Sequence, residues 1–192
     1  MMDLVAFRIY CHHAFRHLPW EQWLMIIALS VFVALVLKRV KGFSVYATVA
    51  FGCAVFFGLY MLGAMVLRRI GIQIEQHPEL NLVAEYHRFF QGDAEHRAFM
   101  LFNVLVFMPF GFALSEFLSV AKQVKTKRNI GLVALVAGLL SLCIESLQWI
   151  LRVGLFELTD IVLNTTGAVV GVLLALGVRR IILNTYKRGD LS

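Results

Sequence analysis

Along the chain, long apolar runs alternate with short charged ones. Five stretches approach the roughly 20 apolar residues that a helix needs to cross a hydrocarbon core about 30 Å thick. They are residues 20–37, 43–67, 98–118, 130–151 and 161–178. Lipid offers backbone N–H and C=O groups no partners, so each stretch is predicted to be a helix whose hydrogen bonds close internally. The pattern predicts an all-α fold: a polytopic transmembrane helical bundle of about five spans, forming a single membrane domain. Ahead of the first run, Leu4, Phe7, Cys11, Ala14, Phe15 and Leu18 recur at helical spacing, while Arg8, His12, His13, Arg16 and His17 interrupt any apolar core. Residues 1–19 are therefore expected to form an interfacial amphipathic helix that ends at Pro19. Residues 71–97 mix Ile72, Leu80, Val83, Tyr86 and Phe90 with acids and with His77, His87 and His96. That mixture fits an extracytoplasmic segment that is re-entrant or lies on the membrane surface.

Composition narrows the class further. The 192 residues are 60% hydrophobic and 16% charged, with a mean hydropathy of +0.78, whereas a soluble domain carries about 25% charge. A water-soluble globule, a collagen and a disulfide scaffold are all excluded; of the three cysteines, Cys53 and Cys143 lie inside apolar runs. Basic residues then orient the bundle, because Lys and Arg accumulate on the cytoplasmic side. Lys38, Arg39 and Lys41 fill one loop, Lys122, Lys125, Lys127 and Arg128 another, and Arg179, Arg180, Lys187 and Arg188 the tail of residues 179–192. Alternation across five spans places the N-terminus outside and the C-terminus in the cytoplasm, in a multi-pass membrane protein. Arg68 and Arg69 fall on the opposite side. The net charge of +6 needs no nucleic acid as partner, since membrane lipids, anionic in the inner leaflet, match the basic loops.

Polar residues inside the apolar runs carry the candidate chemistry. Ionisable side chains at membrane depth cost about 2.5–3.5 kcal/mol on insertion scales and usually face a partner or a cavity. Ser141, Glu145, Gln148 and Arg152 follow one another at helical spacing, which predicts one polar helix face. Asp160, Asn164 and Thr165 open the last span, and Asn103 precedes Pro109 and Gly111 in the third. At 1.5 Å per residue, Asn103 and Glu145 both lie roughly 7–9 Å below the outer boundary. Glu116, near the inner end, is expected to snorkel towards Lys122 or Lys125. Gly167 and Gly171 give a small-x-x-x-small face that serves internal packing or docks another span. Cys11, His13 and His17 imitate a metal site without a further ligand nearby, so no metal and no cofactor is expected.

Three readings follow. In the first, the cluster binds or moves the head group of an amphiphile, with Arg152 on a phosphate or carboxylate and Asn103, Gln148 and Asn164 hydrogen-bonding. In the second, Glu145 and Asp160 are the catalytic acid and base of an intramembrane enzyme acting on such a head group, Ser141 being a conceivable nucleophile. In the third, the polar residues lock helices together in a structural or partner protein.

Three strings, in order, resemble the VanZ-like family of bacterial integral membrane proteins. Asn103 to Phe112, with Phe107, Pro109 and Gly111, is similar to its N-x-x-x-F-x-P-x-G segment, and Ser141 to Gln148 to its S-x-x-x-E-x-x-Q. Asp160 to Gly171, with Asn164, Thr165, Gly167 and Ala168, resembles D-x-x-x-N-T-x-G-A-x-x-G. The resemblance covers residues 81–171. It departs at Gly154, where the family often has Arg, and at residues 81–85, which lack the Pro and Phe of N-L-x-P-F. The role of Arg152 therefore rests on helical spacing alone. What the resemblance implies is a cell-envelope protein of the bacterial cytoplasmic membrane, the family's namesake being linked to lowered susceptibility to the glycopeptide teicoplanin. A lipid, lipid-linked glycan or lipoglycopeptide ligand is the corresponding expectation.

Overall fold

The computed structural model describes residues 20–66, 78–91 and 94–189. The expected interfacial helix of residues 1–19, with Cys11, His13 and His17, lies outside the described residues, as do Arg68, Arg69 and residues 71–77. Among the described residues there are six helices and no strand. They are α1 (Trp20–Lys41), α2 (Val45–Met65), α3 (Leu82–Gln91), α4 (Ala94–Ala121), α5 (Thr126–Ile150) and α6 (Leu158–Gly189). Four of them contain stretches long and apolar enough to cross a membrane: Val45–Met65, His96–Ala121, Thr126–Ile150 and Leu158–Ile182. The helix α1 has 22 residues, and its described apolar stretch runs Leu24–Val36.

Local chemistry sets the turns. Gly42 leaves α1 with φ +65, and its N–H donates to the Lys38 carbonyl at 2.8 Å. Ser44 then caps α2, its hydroxyl accepting from the Ala47 N–H at 3.2 Å. Asn81 starts α3 in the same way, accepting from the Ala84 N–H at 3.1 Å. Val83, Tyr86 and Phe90 form an exposed apolar stripe on α3, the pattern of a helix lying in a membrane interface. The helix α6 runs past Val178 to Gly189, so Arg179 and Arg180 extend it beyond the expected end of the span.

The bundle turns its apolar side chains outward over most of its surface: Leu24, Phe32, Val49, Leu105, Leu139 and Leu173 are all exposed. Ser141, Glu145, Asn164 and Asn129 are instead buried. A water-soluble fold has the opposite arrangement, and only a bilayer makes so broad an apolar exterior favourable. This is a helical membrane bundle.

At its centre α4 and α6 run parallel and touch backbone to backbone. A Cβ on Gly111 would sit 2.0 Å from the Ala168 carbonyl oxygen, and one on Gly167 2.1 Å from that of Val104. One on Gly171 would lie 2.1 Å from the carbonyl oxygen of Met108. Gly167 and Gly171 therefore form an internal contact. Pro109 sits within α4, where its missing N–H and fixed φ interrupt the helix ladder beside this contact. Phe107, Met61, Ile144, Val133 and Val172 fill the core around the pair.

Candidate functional site

The polar residues of α4, α5 and α6 meet at the end of the bundle where α5 gives way to α6. The 4 and 3 spacing of Ser141, Glu145 and Gln148 places all three on the buried side of α5. Asn103 donates from Nδ2 to Asp160 Oδ1 at 2.6 Å, which joins α4 to the first turn of α6. Asn164 donates from Nδ2 to the Ser141 hydroxyl at 2.8 Å, joining α6 to α5. Gln148 donates from Nε2 to the Met65 carbonyl at 3.0 Å, at the end of α2. Glu145, 1% exposed, accepts from the Glu157 N–H at 3.0 Å. Asn164 Oδ1 is buried and, among the described residues, has no hydrogen-bond partner.

Glu145 thereby fastens the loop that connects α5 to α6. The loop begins in a Schellman-type turn: the Arg152 N–H donates to the Trp149 carbonyl at 3.2 Å and the Val153 N–H to the Gln148 carbonyl at 2.9 Å. Arg152 occupies the left-handed position of that turn with φ 56, where glycine is usual because a Cβ there meets its own carbonyl. Further along, Glu79 brackets the loop in an isolated parallel bridge. Its N–H donates to Phe156 O at 3.0 Å and its carbonyl accepts from the Leu158 N–H at 3.1 Å.

The structure brings together Asn103, Ser141, Glu145, Gln148, Asp160 and Asn164. Arg152 departs from the predicted helix face, because α5 ends at Ile150 and the residue is exposed in the turn. Thr165 donates to the Ile161 carbonyl of its own helix at 2.7 Å and lies against Gly138 of α5. Gly111, Gly167 and Gly171 belong to the α4 and α6 contact below the cluster, and Pro109 lies within α4 and lines the side towards α2.

Glu116 is a correction. It reaches neither Lys122 nor Lys125; Arg179 of α6 donates from Nη2 to its Oε2 at 3.0 Å, and the Tyr46 hydroxyl of α2 donates to the same oxygen. Burial makes a fixed partner across the bundle better than extension to solvent, and Lys122 instead lies over the Phe43 ring, 5.5 Å from its centroid. Nearby, Asn129 donates from Nδ2 to the hydroxyls of Ser115 at 3.2 Å and Ser119 at 2.7 Å. Sequence reasoning missed Tyr46 and Arg179 as partners of the buried Glu116, and Asn129 as a buried polar residue. The available signal was the four-residue spacing of Ser115 and Ser119 opposite a helix start.

The cluster at the α5 to α6 end can accept and donate hydrogen bonds directionally. Ser141 has an amide as its partner, which takes no proton, so the nucleophile reading has no base in this contact. Among the described residues no group of three or more His, Cys, Asp or Glu side chains is placed to hold a metal ion. The VanZ/LLP1 family model matches residues 45–182. The chain belongs to the VanZ/LLP1 family. No curated protein and no solved structure matches it. The VanZ/LLP1 match begins where α2 begins and encloses the whole polar cluster, with α1 outside it. Within the match the motif residues divide by task. Asn103, Ser141, Glu145, Gln148, Asp160 and Asn164 hydrogen-bond across elements, and Gly111, Gly167 and Gly171 let two backbones meet.

Proposed function

We propose that this VanZ/LLP1 protein crosses the bacterial cytoplasmic membrane five times and binds the polar head group of an amphiphile near the outer leaflet. A lipid, a lipid-linked glycan or a lipoglycopeptide has the required chemistry. The observation that carries the reading is the buried, unpartnered Asn164 Oδ1, in a set of directional side chains that ends in the half-buried Asp160. An orphan acceptor in a low-dielectric site costs about 1–3 kcal/mol, and a donor supplied by a head group or its water offsets that cost. The topology is supported by α1, which at 1.5 Å per residue is about 33 Å long. It is supported as well by basic residues at the α1 to α2 turn, the α4 to α5 turn and the end of α6. Anionic inner-leaflet lipid is then the partner of those turns.

A second reading has its own support: Asn103, Ser141, Glu145, Gln148 and Asn164 are each buried, as expected of a lock between helices in a structural or partner protein. The test uses full-length protein in lipid nanodiscs, with teicoplanin and a lipid-linked glycan as probes and calorimetric or fluorescence titration as readout. Binding that weakens at least tenfold in Asp160→Asn, with unchanged thermal stability, supports the head-group site. Equal binding by wild type and Asp160→Asn, or none by either, sinks it and favours the lock.

A further inference from the structure

A second site lies at the opposite, basic end of the bundle and does not depend on the reading above. A groove of about 390 Å³ opens between α2 and α4, closed on one side by Leu174 of α6. Its walls are apolar, among them Val49, Cys53, Phe57 and Phe112, and its upper end is formed by Tyr46 and Glu116. From Tyr46 to Phe57 the groove follows α2 for about 16 Å at 1.5 Å per residue. That is about half the thickness of a hydrocarbon core, or one leaflet.

The polar end has a specific valence. Among the described residues, both donors to Glu116, the Tyr46 hydroxyl and Arg179 Nη2, reach Oε2. Glu116 lines the groove, and its Oε1 accepts from no donor among the described residues. Arg179 is in turn only partly covered, its side chain 32% exposed, and spends one of its five N–H donors on Glu116. A carboxylate oxygen and a guanidinium edge side by side complement a zwitterion in which an ammonium lies a few bonds from a phosphate. They do not complement a plain anion, which would meet the carboxylate, nor a quaternary amine, which has no N–H to give.

We propose that this groove binds an aminophospholipid of the phosphatidylethanolamine type. The ammonium donates to Glu116 Oε1, the phosphodiester accepts from the free edge of Arg179, and one acyl chain lies along α2 towards Phe57.

The experiment is delipidation of the full-length protein, rebinding from equimolar phosphatidylethanolamine, phosphatidylcholine and phosphatidylglycerol of identical acyl chains, and native mass spectrometry of the retained lipid. Phosphatidylethanolamine is expected to be retained roughly tenfold over either competitor, the size of one charge-assisted hydrogen bond. Glu116→Gln is expected to abolish that preference. Cys53→Trp, which fills the groove from a lipid-exposed position away from the polar end, is expected to lower retention of all three lipids. The proposal is overturned by equal retention of the three lipids on wild type, or by phosphatidylglycerol retained above phosphatidylethanolamine, which would mark simple attraction to the basic end. It is equally overturned if Cys53→Trp leaves retention unchanged, and that variant decides the matter where Glu116→Gln does not fold.

Discussion

Alanine at Gly167 or Gly171 tests whether backbone contact between α4 and α6 holds the bundle together. The new Cβ would lie 2.1 Å from a carbonyl oxygen of α4, whereas ordinary contact begins at 3.4 Å. The obstructing atoms are backbone, so no side-chain rotation relieves the overlap. The helices must separate by roughly 1 Å, a gap that already forfeits a quarter to a half of the dispersion energy of the atoms lining it. Overpacking of this kind costs about 1–3 kcal/mol. At roughly 2–4 °C per kcal/mol for a chain of this length, Gly167→Ala should lower Tm by about 2–12 °C. Gly177 is the control: it is in the same helix, a Cβ there meets nothing within 4 Å, and alanine should be neutral or stabilising by up to about 1 kcal/mol. Thermal unfolding of the full-length variants in one detergent, followed by tryptophan fluorescence, measures the difference. Equal Tm values for Gly167→Ala and Gly177→Ala would refute the role given to the contact.

Further variants probe the polar sets. Arg152→Gly relieves a left-handed non-glycine residue and should raise stability by about 1 kcal/mol, seen as a higher Tm; a lower Tm would mean the arginine side chain holds the turn. Glu145→Gln keeps an acceptor for the Glu157 N–H and should leave hydrogen exchange of residues 151–157 nearly unchanged. Glu145→Leu should accelerate that exchange by roughly ten- to a hundredfold, the equivalent of an unsatisfied buried donor. Arg179→Ala leaves the Glu116 carboxylate with Tyr46 alone among these partners and should cost about 1–2 kcal/mol, reduced by its partial exposure. A double-mutant cycle with Glu116→Gln should return a coupling energy above about 0.5 kcal/mol.

Most of the helices were legible because run length and backbone satisfaction act locally. Their ends were less so: α4 and α6 continue past the apolar windows, since a helix stops where capping or a turn stops it and not where hydrophobicity falls. Arg152 shows the failure at residue level. Its spacing from Gln148 fits one helix face, yet the Schellman turn begins at Leu151 without the glycine that normally announces it. Asn103, Ser141, Glu145, Gln148, Asp160 and Asn164 could be singled out because polarity in an apolar run is visible in the string. Their pairing could not, and neither could the pairing of Glu116 with Arg179. Both depend on the parallel alignment of α4 and α6, fixed by three glycines whose contact atoms are backbone carbonyls on another helix.

That alignment gives the polar residues their common logic. Asn103 to Asp160 closes one end of the α4 and α6 pair, and Glu116 to Arg179 the other. Between them the glycines seat against carbonyl oxygens. A slide of one helical turn, about 5.4 Å, would break both polar contacts and unseat the glycines together, so no smaller set of losses compensates a shift in register. The pair is therefore a fixed frame, and both proposed head-group sites are built on it: the Asn164 acceptor at one end and Glu116 Oε1 at the other. A site carried on such a frame loses little conformational freedom when occupied. The element placed to respond is the loop of residues 151–157, which a backbone hydrogen bond ties to Glu145 and which meets the N–H and carbonyl of Glu79. Occupancy at that end should thus be read in the loop, not in the helices.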